Sequence, residues 1–314
     1  MTIPDGPRPS RQRDDRATQR ALLLMAGSAV LFGAMAFTAK LASARLSGSQ
    51  VAMIRFATGL LPALLIPHFR ARAFTFKRLD LLFYRGFFGG SAVLCYFIAI
   101  EKITVGVATL LNYTSPVWSG FFSILFLRER ISAKVLIPTP IALAGVFLVV
   151  RANAHPGDLL GFGKWELVGA LSGILSGAAV TAMRAARQGE NSWSVYTSFG
   201  LLGTLLTAPL AIATWKNPTA GEWMLLAATS LFAIGAQLLL TFSLRWVDAM
   251  TVGVISQLAV LISMALGATF LGENISGTAA LGATLTIGGV VGVVYVTSLA
   301  KRTVVTADEV APEA

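Results

Sequence analysis

The apolar residues of this chain fall into ten long runs, at about residues 20–43, 49–69, 81–100, 104–127, 132–151, 165–186, 193–214, 222–244, 248–271 and 276–299. Most are near 20 residues, the length of α-helix that crosses a hydrocarbon layer about 30 Å thick at 1.5 Å per residue. Short polar turns separate them, among them Arg70-Ala71-Arg72, Arg128-Glu129-Arg130 and Gly272-Glu273-Asn274. Nothing between the runs is long enough to fold as a soluble domain. The pattern predicts an all-α polytopic membrane protein of ten transmembrane helices. Residues 1–19 are hydrophilic, carry Pro4, Pro7, Pro9 and several arginines, and read as a disordered cytosolic tail. The apolar run after them is too long for a cleaved signal peptide. Residues 300–314 read as a second loose cytosolic tail.

Composition agrees with the pattern. Of 314 residues, 55% are hydrophobic and only 13% charged, against about 25% charged in soluble globular domains. A soluble enzyme and a nucleic-acid binder are excluded, and so is a disulfide-stapled module, because Cys95 is the one cysteine. The net charge of +10 is explained by where the cations sit. With the N-terminus inside, the cytosolic set is Arg8, Arg11, Arg13, Arg16, Arg20, Arg70, Arg72, Lys77, Arg78, Arg128, Arg130, Lys134, Arg184, Arg187, Arg245, Lys301 and Arg302, 17 residues. The outside set is Lys40, Arg45, Lys102, Arg151, Lys164 and Lys216, 6 residues. This positive-inside bias predicts both termini in the cytosol of an inner or plasma membrane. The expected partners are the bilayer and a small-molecule substrate, with no nucleic acid.

The chain also matches itself without gaps at an offset of 144 residues (271 − 127). Leu127-Arg128-Glu129-Arg130-Ile131-Ser132 falls on Leu271-Gly272-Glu273-Asn274-Ile275-Ser276, and Ser28, Leu31, Gly33 and Ala34 fall on Ser172, Leu175, Gly177 and Ala178. Residues 20–151 and 165–299 thus form two five-helix repeats. Five is odd, so the second copy enters the membrane inverted relative to the first. Inverted repeats suit alternating access, because exchanging the conformations of two similar halves opens one face and closes the other.

Ten spans in two halves, the Leu-x-Glu-x-Ile-Ser turn in each, and Asn112-Tyr113-Thr114-Ser115-Pro116 in the first copy resemble the drug/metabolite transporter superfamily, EamA type. The resemblance covers about residues 20–299 and implies a transporter, closest in pattern to bacterial exporters of amino acids, neutral or aromatic, and related metabolites. One departure is that Val260 stands where the first copy has Pro116. The ninth span therefore cannot use a proline as the fourth does.

The polar residues within spans are the candidates for a substrate site, because an unsatisfied polar group in hydrocarbon is costly. Asn112 and Tyr113 lie mid-span, and their repeat partners Ser256 and Gln257 lie at the matching depth. Such pairs either bind substrate at the repeat interface or glue helices together. Pro116 frees carbonyls near residue 112. Gln237, Tyr96 and Ser91 are further candidates for a cavity wall. Arg55 lies inside span two, facing either a cavity or the interface. Arg85, near the start of span three, is expected to snorkel to headgroups. No cluster of buried arginines is therefore expected, and the site should suit an uncharged or zwitterionic solute. The glycines Gly169, Gly173 and Gly177 mark a close helix contact. The acidic residues sit at span ends, no Gly-x-x-x-x-Gly-Lys-Ser/Thr loop occurs, and no His-Glu-x-x-His or Gly-x-Ser-x-Gly set is present. No metal, cofactor, ATPase partner or intramembrane catalysis is expected, and a facilitator is the simplest energetics.

Overall fold

The computed structural model of the chain describes residues 11–128, 134, 137–152, 163–186, 189–243 and 255–310. Within them it forms twelve helices: α1 (Arg11–Ala42), α2 (Gly48–Leu65), α3 (Pro67–Ala73), α4 (Leu79–Lys102), α5 (Val105–Asn112), α6 (Ser115–Leu127), α7 (Pro138–Ala152), α8 (Lys164–Ala186), α9 (Ser192–Ala213), α10 (Ala220–Ser243), α11 (Leu258–Phe270) and α12 (Gly277–Val310). Seven of these are long and apolar enough to cross a membrane, while α7 and α11 are shorter apolar helices. Large apolar side chains such as Leu65, Phe126 and Leu205 face outward at 72%, 63% and 67% exposure, as a lipid-facing surface requires. Residues 1–10, the Glu129–Ser132 part of the first Leu-x-Glu-x-Ile-Ser turn, and 248–254 of the ninth span lie outside the described residues.

Four element boundaries differ from the sequence reading. Helix α1 already begins at Arg11 and α12 continues to Val310, so both tails are shorter than expected. A helix nucleated in the membrane propagates at little cost through good helix formers such as the Arg and Ala of 11–20. The second span stops at Leu65, because Ile66 precedes Pro67 and is held extended at φ −98°, ψ 111°. The fourth span breaks at Tyr113-Thr114 into α5 and α6, with Pro116 in the first turn of α6.

The ninth span turns at Gln257, the repeat partner of Tyr113, without any proline. There the backbone tightens, with Val260 N–H donating to Gln257 O at 3.0 Å; in the first copy a bond of the same kind falls one residue later, from Val117 N–H to Thr114 O at 3.0 Å. The Pro116-to-Val260 departure therefore does not remove the break. After each of these spans one residue turns left-handed, Arg128 at φ 53° and its partner Gly272 at φ 62°.

The two halves interleave. Helix α1 packs on α10 and α11, α4 on α8 and α9, α2 on α9 and α10, α6 on α8, and α7 on α12. Under the 144-residue offset, α1, α2, α4, α6 and α7 become α8, α9, α10, α11 and α12. The α1–α10 contact then becomes α8–α4, α1–α11 becomes α8–α6, and α2–α10 becomes α9–α4. The α2–α9 and α7–α12 pairs map onto themselves. A contact set that survives the exchange of halves describes a pseudo-two-fold.

The helix ends give its sense. At one end of the bundle Gln50 Nε2 donates to Lys216 O at 2.8 Å and Arg45 Nε donates to Glu222 Oε1 at 2.6 Å. At the other end Ser194 Oγ donates to Arg72 O at 3.1 Å and the backbone N–H groups of Lys77 and Arg78 donate to Glu190. Gln50 and Ser194 are repeat partners, as are Lys216 and Arg72, so the same tie closes both ends. The start of α2 shares one end with the finish of α9, and the start of α9 shares the other end with the finish of α2. That is an inverted repeat. Matching N-caps begin the two helices: Ser47 Oγ accepts from Gln50 N–H at 3.3 Å, and Asn191 Oδ1 from Ser194 N–H at 3.0 Å.

Glycines seat the broken spans. A Cβ on Gly177 would strike Trp118 and lie 2.7 Å from Ser119 N; on Gly33, its partner, it would lie 2.6 Å from Ile262 Cγ2, and Ile262 is the partner of Trp118. On Gly173 it would collide with the Leu111 carbonyl and Thr114 Oγ1. Bare backbone at these positions lets α8 and α1 approach α6 and α11 closely.

Candidate substrate site

Helix α2 starts at Gly48, so Arg55 stands two turns into the bundle, about 10 Å from the helix end at 1.5 Å per residue. Its guanidinium carbon lies 5.4 Å from the centroid of the Phe56 ring and 5.7 Å from that of Phe97, a cation–π contact on two faces. Its Nε is buried with no hydrogen-bond acceptor. The ion pairs among the described residues are Arg45–Glu222, Arg78–Asp80 and Lys102–Glu101, all at helix ends. Arg55 therefore carries a charge into the bundle without a counter-carboxylate among the described residues, and Tyr96, Tyr113 and Tyr196 lie within electrostatic range of it.

Arg55 opens onto a cavity of about 30 Å³, lined by Arg55, Phe56 and Gly59 of α2, Tyr196, Phe199 and Gly200 of α9, and Ala233, Ile234 and Gln237 of α10. That is room for a water or two. Tyr196 Oη donates to the Gly59 carbonyl at 3.1 Å and ties α9 to α2 across it. The cavity straddles the pseudo-axis, since Phe199 is the repeat partner of Arg55 and Gly200 that of Phe56.

A larger cavity of about 520 Å³ opens at the bundle end that carries Lys40, Glu101, Lys102, Glu166 and Glu273. Its rim is bonded to the start of the broken fourth span. The Glu273 carboxylate accepts the Val105 N–H at 2.9 and 3.0 Å, which caps α5 from the other repeat. Burial pushes the Glu273 carboxyl above its usual range, against the opposing pull of the Val105 N–H and of Lys40. Lys40 Nζ donates to the Ile103 carbonyl at 2.7 Å and does not anchor outward as a span-end lysine would.

Of the residues nominated from sequence, the structure brings Arg55 and Gln237 together at the small cavity, with Tyr96 and Tyr113 close to Arg55. The Tyr96 hydroxyl donates to Thr109 Oγ1 at 2.9 Å, because the Thr109 hydrogen is already given to Val105 O at 2.7 Å. Asn112 Nδ2 donates to Ser172 Oγ and Ser176 Oγ, each at 3.1 Å, which ties α5 to α8. Gln257, 4% exposed, donates to the Tyr113 carbonyl at 3.4 Å. Ser256 is half-buried beside it, and Ser91 is half-buried on α4 away from the cavity lining.

The expectation that Arg85 snorkels to the headgroups is not met, and it joins Arg55 as a second half-buried arginine. Arg85 turns inward, its guanidinium carbon 4.1 Å from the Phe199 centroid, and within electrostatic range of Arg55. Gly89, one turn further along α4, leaves the space its side chain occupies. The sequence reading also missed Phe56, Tyr196 and Phe199. The internal repeat carried a signal for the last, because the offset that maps the halves places Phe199 on Arg55.

The sequence profile of the EamA-like transporter family matches residues 19–151 and again residues 163–295. The chain is 27% identical over 253 residues to the pseudopaline exporter CntI of Pseudomonas aeruginosa strain UCBPP-PA14, which covers 80% of this chain and 88% of that protein. It is 28% identical over 199 residues to an uncharacterized transporter of Helicobacter pylori strain J99, covering 60% of this chain and 65% of the other. Among solved structures, one crystal structure superposes with a TM-score of 0.56 over 90% of this chain and 97% of its own, at 22% identity, a likeness of fold.

Proposed function

The chain belongs to the EamA-like transporter family, and from that premise we propose that it exports a small carboxylate-bearing metabolite, amino acids first among them, by alternating access around Arg55. The observation that carries this reading is the half-buried Arg55, whose Nε is buried without an acceptor, which lines a cavity between the repeats and has no carboxylate partner among the described residues. A buried unpaired cation is costly, and a substrate carboxylate would offset that cost while it is bound. Gln237 offers an amide beside it, and Phe56 and Phe199 offer apolar faces for the carbon skeleton. By the positive-inside count, the Lys40–Glu273 end faces out of the cell and the Arg72–Glu190 end faces the cytosol. Alternating access would break one set of end ties while its mate holds.

The acidic residues described lie in turns or near helix ends, which favours a facilitator. Export of a pseudopaline-like product is a second reading, supported by the similarity to a protein of that name. Purified protein in liposomes should exchange radiolabelled amino acid for unlabelled, with pH gradient and membrane potential both collapsed. Counterflow that needs either gradient would sink the facilitator reading, and no counterflow of any amino acid or carboxylate would sink the carrier reading of this site.

A further inference from the structure

Arg85 is a second guanidinium held inward, with no carboxylate partner among the described residues. It stands six residues after Leu79, the start of α4, so the near end of the helix is within reach of its own side chain. It nevertheless runs the other way, deeper into the bundle. A Cβ on Gly89 would collide with Arg85 Nη1 and lie 2.8 Å from Phe199 Cε2. Arg85 Nε, like Arg55 Nε, is buried with no acceptor. Phe199 joins the two cations: Arg85 lies 4.1 Å from its centroid, Phe56 meets it edge-on at 5.0 Å and 84°, and Arg55 lies 5.4 Å from Phe56. Arg85, Phe199, Phe56 and Arg55 thus form one row with a cation at each end.

Two like charges held inside a membrane protein repel one another and lose hydration, and among the described residues they meet aromatic faces but no carboxylate. A zwitterion or monoanion at Arg55 would cancel one charge and leave Arg85 bare. Resting on the reading of the Arg55 cavity as the substrate site, we propose that the transported metabolite carries two acidic groups, one taken by Arg55 and the other by Arg85, with its carbon chain against Phe56 and Phe199. Guanidinium forks suit carboxylates at both ends, because each can accept two parallel N–H bonds.

The test compares matched pairs that differ by one charge: succinate with succinamate, and L-glutamate with L-glutamine. Equilibrium binding to the purified wild-type protein should favour the diacid over its monoamide by at least about tenfold, the size of one charge-assisted contact. Arg85→Gln should bring that ratio close to one, and Arg85→Lys should restore part of it. A wild-type ratio of one or less in both pairs, including absence of binding by all four probes, overturns the proposal. So does a ratio that survives Arg85→Gln in a folded variant. If Arg85→Gln fails to fold, the wild-type ratio alone decides. Counterflow in liposomes separates this from the carrier reading. Exchange of monoanions with no diacid preference ends the two-acid site and leaves the carrier, whereas a strong binding preference without any exchange does the reverse.

Discussion

Gln257 donates its Nε2 hydrogen to the Tyr113 carbonyl at 3.4 Å, and the two residues hold the same place in the two repeats. A residue that touches its own repeat partner lies on the axis that relates the halves. The carbonyl it meets belongs to the break in the fourth span, where an intrahelical donor is missing. The contact therefore satisfies backbone at the centre of the bundle and couples the two breaks.

That geometry makes Gln257 and Asn112 helix ties in this conformation. Gln257→Ala and Asn112→Ala should each cost roughly 0.6 kcal/mol of stability, the average for interhelical hydrogen bonds in membrane proteins. Half-saturation of counterflow should shift by less than threefold. Thermal melting alongside transport checks this, and a tenfold or greater loss of affinity at unchanged stability would instead place both residues on the substrate.

Gly33 and Gly177 should respond alike. An alanine at either meets Ile262 or Trp118 of the facing helix below normal contact distance, and overpacking of this kind costs about 1–3 kcal/mol. Both variants should melt lower and transport more slowly. If only one of them suffers, the halves do not pack equivalently.

Arg55 should trade stability for function. Arg55→Gln removes an unpaired charge from the bundle, so the melting temperature should hold or rise. Affinity for a carboxylate substrate should fall by about 1.5–3 kcal/mol, on the order of tenfold or more. Melting that falls together with affinity would make Arg55 a structural residue.

The two ends of the bundle should face opposite solutions. In a Cys95→Ala background, Asn217→Cys should label with an impermeant maleimide from outside the cell, and Lys77→Cys only after the membrane is opened. Labelling of both from one side contradicts the end ties.

Glu273 gives a pH signature. Its folded-state carboxyl is pushed above the ordinary 4.5 by burial, so its contribution to stability is full below 4.5 and is lost as pH rises through the raised folded value. Replacing it by Gln, which keeps an acceptor for Val105 N–H, should flatten the melting temperature across that interval. An unchanged pH profile would mean that Glu273 does not titrate in the folded protein.

The hydrophobic runs, the lysine and arginine placement and the 144-residue offset were enough to read the membrane class, the two repeats and the family, because those features lie in the order of residues along the chain and need no tertiary contact. The mid-span polar pair at 112–113 and 256–257 was legible as a place where hydrogen bonds must form, since a polar group in hydrocarbon must find a partner wherever it points. What it bonds to was not legible. Arg55 and Arg85 look alike in the sequence, about six and four residues inside their spans, and either could reach the interface. Only the packing of α9 against α2 and α4, with Phe199 over Arg85 and the space left at Gly89, turns both inward. The broken ninth span was hidden for a related reason: Gln257 has no local breaker, and its turn follows from contact with the other repeat. Periodicity in one strand of sequence reports which face of a helix is apolar, whereas the direction of a long charged side chain is set by neighbours that lie a hundred residues away along the chain.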